Sequence, residues 1–200
     1  MGTSVHQADA AAATSAARER VLATAYELFA HHGTKTVGVD SIVAKAGVAK
    51  MTLYRHFPSK NDLVVAFLER REELWTHAWL EAAVKARTRD PKARLLAIFD
   101  VFHEWFQQPD FEGCSFINVL LEEPVLGHPV RQATVLHLAN IRALLRELAA
   151  AAGVRHLDGF TRKWHILMKG SIVAAGEGDK LAARRAQEIG RLLLAAELSA

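Results

Sequence analysis

The sequence predicts an all-α fold of about nine helices, and three observations carry that expectation. Large apolar residues recur at three- and four-residue spacing along most of the chain, which lays an apolar stripe along a helix. Val, Ile and Thr nowhere alternate with polar residues over a useful length, as a half-buried strand requires. Gly33, Gly47, Pro58, Pro109, Pro129 and Gly153 fall between the periodic stretches, where such residues stop or start helices.

Taken in order, residues 1–14 are rich in Ala, Ser and Thr, have no large apolar side chain after Val5, and are expected as a disordered tail. From Ala16 the chain turns helical: Val21, Leu22, Ala25, Leu28 and Phe29 make one stripe, and Gly33 after His31 and His32 reads as its stop. A short helix fits residues 39–46, with Val39, Ile42, Val43 and Ala46 facing inward and Gly47 ending it. Another fits 49–57, where Pro58 forbids continuation. Ser59 then caps a fourth helix with Asp62 three residues on, an acidic form of the capping box. That helix carries Leu63, Phe67, Leu68, Leu74, Trp75 and Leu80.

Asp90-Pro91 places an N-cap and a first-turn proline at the head of a helix running to about Gln107, with Leu95, Leu96, Phe99, Phe102 and Phe106. A short apolar helix fits residues 112–121, and Pro124, Gly127 and Pro129 interrupt the chain after it. A long helix from Pro129 to about Ala152 and two final helices, 158–175 and 179–198, complete the chain. The expected organisation is a tail over 1–14, a three-helix head over 15–62, and a bundle over 63–200.

Composition excludes several classes. The chain has 200 residues, half of them hydrophobic and 24% charged, which suits a packed globular protein. A single cysteine, Cys114, can make no internal disulfide and no multi-cysteine metal site. Glu112 lies close to it and no cation adjoins it, so the local sequence offers nothing to stabilise a thiolate. No apolar run approaches the ~18 residues of a membrane span. Residues 1–15 carry no Lys or Arg and no apolar core, unlike a signal peptide. A soluble, cytoplasmic protein is expected. The formal charge is only +3, but its location is uneven. Residues 15–62 hold seven bases and four acids, whereas 63–200 hold eighteen and seventeen.

The informative stretch is TVGVDSIVAKAGVAKMTLYRHFPSKNDL, residues 36–63. Two short helices flank Gly47 at helix-turn-helix spacing, and glycine permits a positive φ at the turn. Val39, Ile42, Val43, Val48, Leu53 and Phe57 can pack the pair together. The remaining face of the second helix carries Lys50, Thr52, Tyr54, Arg55 and His56, groups suited to phosphates and base edges. No acid occurs from Ser41 through Asn61.

The segment AGVAKMTLYRHFPSKNDLV resembles the signature of the TetR family of bacterial transcriptional regulators, with AGV at the turn, TLY and HF in the second helix and SK opening the next. The preceding ERVLATAYELFAHHGTKTVGVDSIVAKAG fits too, and the close resemblance covers about residues 18–65. Later parts match in layout: GCSFINV after a Pro-Asp loop, HPVR opening a long helix, and GD-x3-ARRA opening the last.

The resemblance implies a homodimer that binds double-stranded operator DNA through its heads and an effector through its bundle, most members being repressors that a small ligand releases. It places Lys50, Thr52 and Arg55 at the major groove or its edges. Tyr54, His56 and Lys60 would hold phosphates, and Thr36 and Lys45 add phosphate contacts. Where the family usually has Ser or Thr, this chain has Ala49, losing a helix cap typically worth ~1 kcal/mol.

In the bundle, Trp75, Trp79, Phe102, Phe106, Phe116, Trp164 and Met168, with the polar His103, Asn118, His137 and His165 among them, are candidates to line a pocket for a lipophilic or aromatic effector. The same residues also suit a plain core, and a buried His or Asn is equally served by a partner in the protein. Ala182, Ala186, Ile189, Leu193 and Ala196 share a face of the last helix. Leu167, Gly170, Ser171, Ala174 and Ala175 lie on the helix before it. By resemblance these two helices pair with their mates about a two-fold axis.

Enzyme signatures fail. His103-Glu104 opens an HExxH pattern that ends in Gln107, and no GxSxG, phosphate loop or GxGxxG occurs. Adjacent His31 and His32 point about 100° apart on a helix and chelate poorly together. No catalytic residue, metal or cofactor is therefore expected. The remaining alternatives are a DNA-binding regulator without a small-molecule inducer and a helical enzyme.

Overall fold

The computed structural model describes residues 3–199, with side chains from Thr14 onward. All regular elements among the described residues are helical. They are α1 (Thr3–His32), α2 (Val39–Ala46), α3 (Lys50–His56) and α4 (Lys60–Arg71), then a π-helical segment (Glu72–Glu81) and α5 (Ala82–Arg87). There follow α6 (Pro91–Phe106), α7 (Ser115–Glu122), α8 (Pro129–Ala151), α9 (Leu157–Gly176) and α10 (Ala182–Ser199).

The starts and stops have the causes the sequence suggests. Asp90 accepts from the backbone N–H groups of Lys92 and Ala93 with Pro91 at the first position of α6. Ser59 and Asp62 form the reciprocal box: Ser59 donates N–H and Oγ–H to Oδ2, and the Asp62 N–H returns to Ser59 Oγ at 3.2 Å. Ala49 stands at the N-cap of α3 with no side-chain cap.

Two elements differ from expectation. Residues 3–13, expected in a disordered tail, have helical backbone as the first turns of α1. Their alanines are the strongest helix formers, and the nucleation cost is already met by the rest of α1. Met1, Gly2 and the side chains of residues 3–13 lie outside the described residues. The stretch after Arg71 is expected as ordinary α-helix; residues 72–81 instead bond i→i+5, burying Trp75, Thr76 and Leu80.

The chain divides into two compact units. The first comprises residues up to Arg71 together with 119–134. Val21, Leu22, Ala25 and Phe29 of α1 are buried with Ile42, Leu53, Phe57, Leu63, Phe67 and Leu68. Tyr26 and Phe29 each meet Phe67 edge-on at 5.5 Å. Each such side chain contributes about 1.5–3 kcal/mol on burial. Segment 119–134 joins this unit through polar contacts that periodicity does not announce. Glu122 accepts from the backbone and hydroxyl of Thr34, Lys35 meets the buried Glu123 at 2.6 Å, and Asn61 meets His128 at 3.2 Å. Arg131 donates to the carbonyls of Leu120 and Glu123, satisfying the end of α7.

The second unit comprises residues 72–118 and 135–199. Its core is an aromatic network in which Trp75, Trp79, Phe99, Phe102, Trp105, Phe106, Phe111, Phe160 and Trp164 meet at centroid distances of 4.8–6.4 Å. Gly190 of α10 lets that helix approach: a Cβ there would stand 3.0 Å from the Trp164 ring.

Candidate functional site

The turn between α2 and α3 is set by Gly47, which has φ 62° and ψ 42°, a left-handed conformation that suits glycine. The Val48 N–H bonds back to Val43. Fully buried Ile42 and Leu53 lock the two helices to each other, while Val39, Val43 and Val48 are half-buried.

Successive helical residues advance by about 100°, so Lys50, Tyr54, Met51 and Arg55 fall in that order across an arc of about 140°. All four are exposed, and Leu53 points to the opposite side into the core. Thr52 and His56, expected on the same surface, are instead half-buried at its margin because they lie about 200° and 240° round from Lys50. His56 Nε2 is enclosed with no hydrogen-bond partner among the described residues. Met51, which an apolar reading of α3 passes over, is 80% exposed and sits near the middle of the face.

The cations around this face differ in their pairing. Lys50 meets Asp40 at 2.8 Å, and that hydrogen bond raises the ammonium above its ordinary range. Lys45 meets Glu27 at 2.8 Å, holding that carboxyl below its usual range. Arg55 has no ion-pair partner among the described residues. Lys60, half-buried at the start of α4, is pushed down by burial and then by nearby Lys35. Thr36 is exposed. The structure thus brings Lys50, Tyr54 and Arg55 onto one face, with Thr36, Lys45 and Lys60 elsewhere on the same unit.

The second unit holds a cavity of about 240 Å³. Its walls are aliphatic: Leu80, Val84, Ile98, Ile141, Leu144, Leu145, Leu148, Ala151 and Met168, with Glu81, Lys85, Arg94 and Glu147 among the lining. Of the eleven residues expected to line a pocket, Met168 alone reaches it. Trp79, Phe102, Phe106 and Trp164 are consumed by the aromatic network, where edge-on and offset rings fill space densely. Phe116 stacks on His137 at 5.4 Å, and His137 bonds the Glu72 carboxylate, which also accepts from Asn140. His137 is therefore a satisfied internal group. Asn118 is exposed and reaches the Glu112 carbonyl at 3.4 Å. His103 is half-buried, and its Nδ1 has no hydrogen-bond partner among the described residues.

A second void, about 10 Å³, is lined by Trp75, Cys114, His165, Met168 and Lys169 among others. That is about the size of one water. Burial first, then the charges of Lys169 and Arg142, lowers His165 to about 3, so its imidazole is neutral. Its Nδ1 and the Trp75 Nε1 have no hydrogen-bond partners among the described residues.

The faces expected at a dimer interface are split. Ser171, Ala182 and Ala186 are buried within the chain, since the side of α10 bearing Ala183 and Gly190 packs inward against the aromatic core. Leu167, Ala174 and Leu193 are half-buried. Gly170, Ile189 and Ala196 are exposed, together with Ile166, Val173, Leu181 and Leu192. Among the described residues no three His, Cys, Asp or Glu side chains are grouped to hold a metal, and no helix is long and apolar enough to cross a membrane.

Comparison with known proteins agrees with this geometry. Residues 21–67 match the family described as "Bacterial regulatory proteins, tetR family". The chain is 33% identical over 119 residues to the HTH-type transcriptional activator FasR of Mycolicibacterium smegmatis, covering 58% of this chain and 53% of that protein. It is 27% identical over 131 residues to the HTH-type transcriptional repressor NemR of Escherichia coli, covering 65% of each. The matches thus span about half to two thirds of these relatives' lengths. The crystal structure of a TetR-family transcriptional regulator from Streptomyces coelicolor superposes with a TM-score of 0.79 at 29% identity, covering 92% of this chain and 96% of that one.

Proposed function

We propose that this chain, whose residues 21–67 match the tetR family and whose fold superposes on a TetR-family regulator at 29% identity, is a TetR-family transcriptional repressor that binds a pseudo-palindromic operator as a homodimer and leaves it when a small lipophilic molecule binds. The observation that carries the DNA reading is the face of α3. Lys50, Tyr54 and Arg55 project from a helix anchored by buried Leu53, in a stretch free of acids from Ser41 through Asn61. Arg55 and Lys50 supply base-edge and phosphate contacts, Tyr54 a phosphate contact, and Lys45, Lys60 and Thr36 further backbone contacts. On binding, Lys50 exchanges Asp40 for phosphate or a base edge.

The exposed Ile166, Gly170 and Val173 of α9, with Ile189, Leu192 and Ala196 of α10, recur at three- and four-residue steps. They support an isologous interface made of these two helices and their mates. The effector reading is supported by the aliphatic cavity, which suits a lipophilic guest better than an aromatic-stacking one. If the regulator has no inducer, that cavity is simply a packing void.

A screen of six- to ten-carbon alcohols by thermal unfolding tests the effector reading. The expected result is a raised Tm in the wild type, equivalent to about 2.7 kcal/mol at a hundredfold excess over Kd. Leu148→Trp, which fills the cavity, should lose that rise while keeping operator binding. A rise of equal size in both proteins overturns the cavity as the site. In a reporter strain, deleting the gene should raise expression from the operator-bearing promoter; a fall overturns repression.

A further inference from the structure

We propose that Met51 is a sequence-reading residue that recognises the C5 methyl group of a thymine in each operator half-site. The proposal rests on the DNA-binding reading above. Met51 is the most exposed large hydrophobic side chain among the described residues, at 80%. It makes no contribution to the core of its unit, which Leu53, on the opposite side of α3, supplies instead. On the arc of α3 it lies between Tyr54 and Arg55, with Lys50 at the far edge. An apolar group with charged and phenolic neighbours on both sides is centred on the surface that meets the groove.

The chemistry of the groove then narrows what Met51 can read. Base edges in the major groove display hydrogen-bond donors and acceptors, and one apolar group, the thymine methyl. A thioether side chain has no donor and only a weak acceptor, so opposite a guanine, cytosine or adenine edge it leaves polar atoms desolvated and unpaired. Opposite thymine it buries a methyl against a methyl. An unbranched, polarisable side chain with three rotatable bonds can follow the methyl across small changes in docking. The flanking cations fix register while Met51 supplies discrimination.

The test uses the full chain. Duplexes are selected from a randomised pool, and each thymine of the selected half-site is replaced in turn by deoxyuridine, which keeps every hydrogen bond and lacks the methyl. Binding is measured by anisotropy at one salt concentration. At one thymine per half-site the wild type should weaken roughly fourfold, the weight of one buried methyl group. Met51→Ala should show no penalty at that position and unchanged penalties elsewhere. Met51→Leu should retain it. Far-UV dichroism of both variants should match wild type, since the side chain is outside the core. Equal penalties in wild type and Met51→Ala at every thymine, or a selected half-site without thymine, overturn the proposal while leaving DNA binding intact. Failure of the wild type to select any duplex overturns both.

Discussion

In the first unit, Ile42 and Leu53 are fully buried while Lys50, Met51, Tyr54 and Arg55, on the second of the same two short helices, stand in solvent. In the second unit the most distinctive side chains, Trp75, Phe102, Phe106 and Trp164, are buried, with Trp79 half-buried against Trp75, and the cavity is walled by ordinary leucines and isoleucines. A DNA-facing surface must be polar and exposed, so its chemistry contrasts with the core and shows up at fixed spacing. A lipophilic cavity uses the same residue types as the core, so nothing in composition separates lining from packing. Rare aromatic residues draw attention, but their size makes them the best space-fillers.

The largest effect that sharpens this contrast is at Trp164. If it is core, Trp164→Ala costs about 3–5 kcal/mol in urea unfolding. A cost below about 1 kcal/mol, far under the range for a buried aromatic, would return it to the pocket.

Next comes His165. Its ordinary pKa near 6.5 falls to about 3 in the folded chain, so the unfolded state binds the proton first as pH drops. The stability associated with the neutral ring is full above about pH 6.5 and is lost as pH falls toward 3. Between pH 7 and pH 5 the wild type should lose about 2 kcal/mol more than His165→Leu. Parallel pH profiles of the two proteins would contradict the burial of this histidine. The smallest effect is at the head of α3, where Ala49 offers no side-chain cap. Ala49→Ser should add roughly 0.5–1 kcal/mol of stability, read as a higher urea midpoint; no change would mean that the turn already satisfies those amides.

Much of the fold is legible in the sequence because its punctuation is local. Gly47, Pro58, the Ser59–Asp62 box and Asp90-Pro91 each act within four residues, and the helices start and stop where those residues place them. Long-range pairings are not legible. Glu122 and Glu123 join Thr34 and Lys35 across 88 positions, and no period marks residues 119–134 as part of the first unit. The π-helical turns of residues 72–81 escape notice because their apolar spacing also fits an α-helix. On the exposed face of α3, chemistry and spacing pick out Lys50, Tyr54 and Arg55. They leave Met51 unassigned, because it belongs neither to the polar set nor to the packing set, although its angle beside Arg55 places it outward.

The central claim is that the α3 face binds DNA, and a salt titration of operator affinity tests it most directly. The wild type should bind a selected duplex with log K falling linearly against log salt. Lys50→Ala/Arg55→Ala should bind at least about tenfold more weakly with unchanged far-UV dichroism, and its slope should be shallower by about 0.9 for each phosphate that the variant no longer neutralises. Wild-type and variant curves that coincide in both affinity and slope would contradict the account.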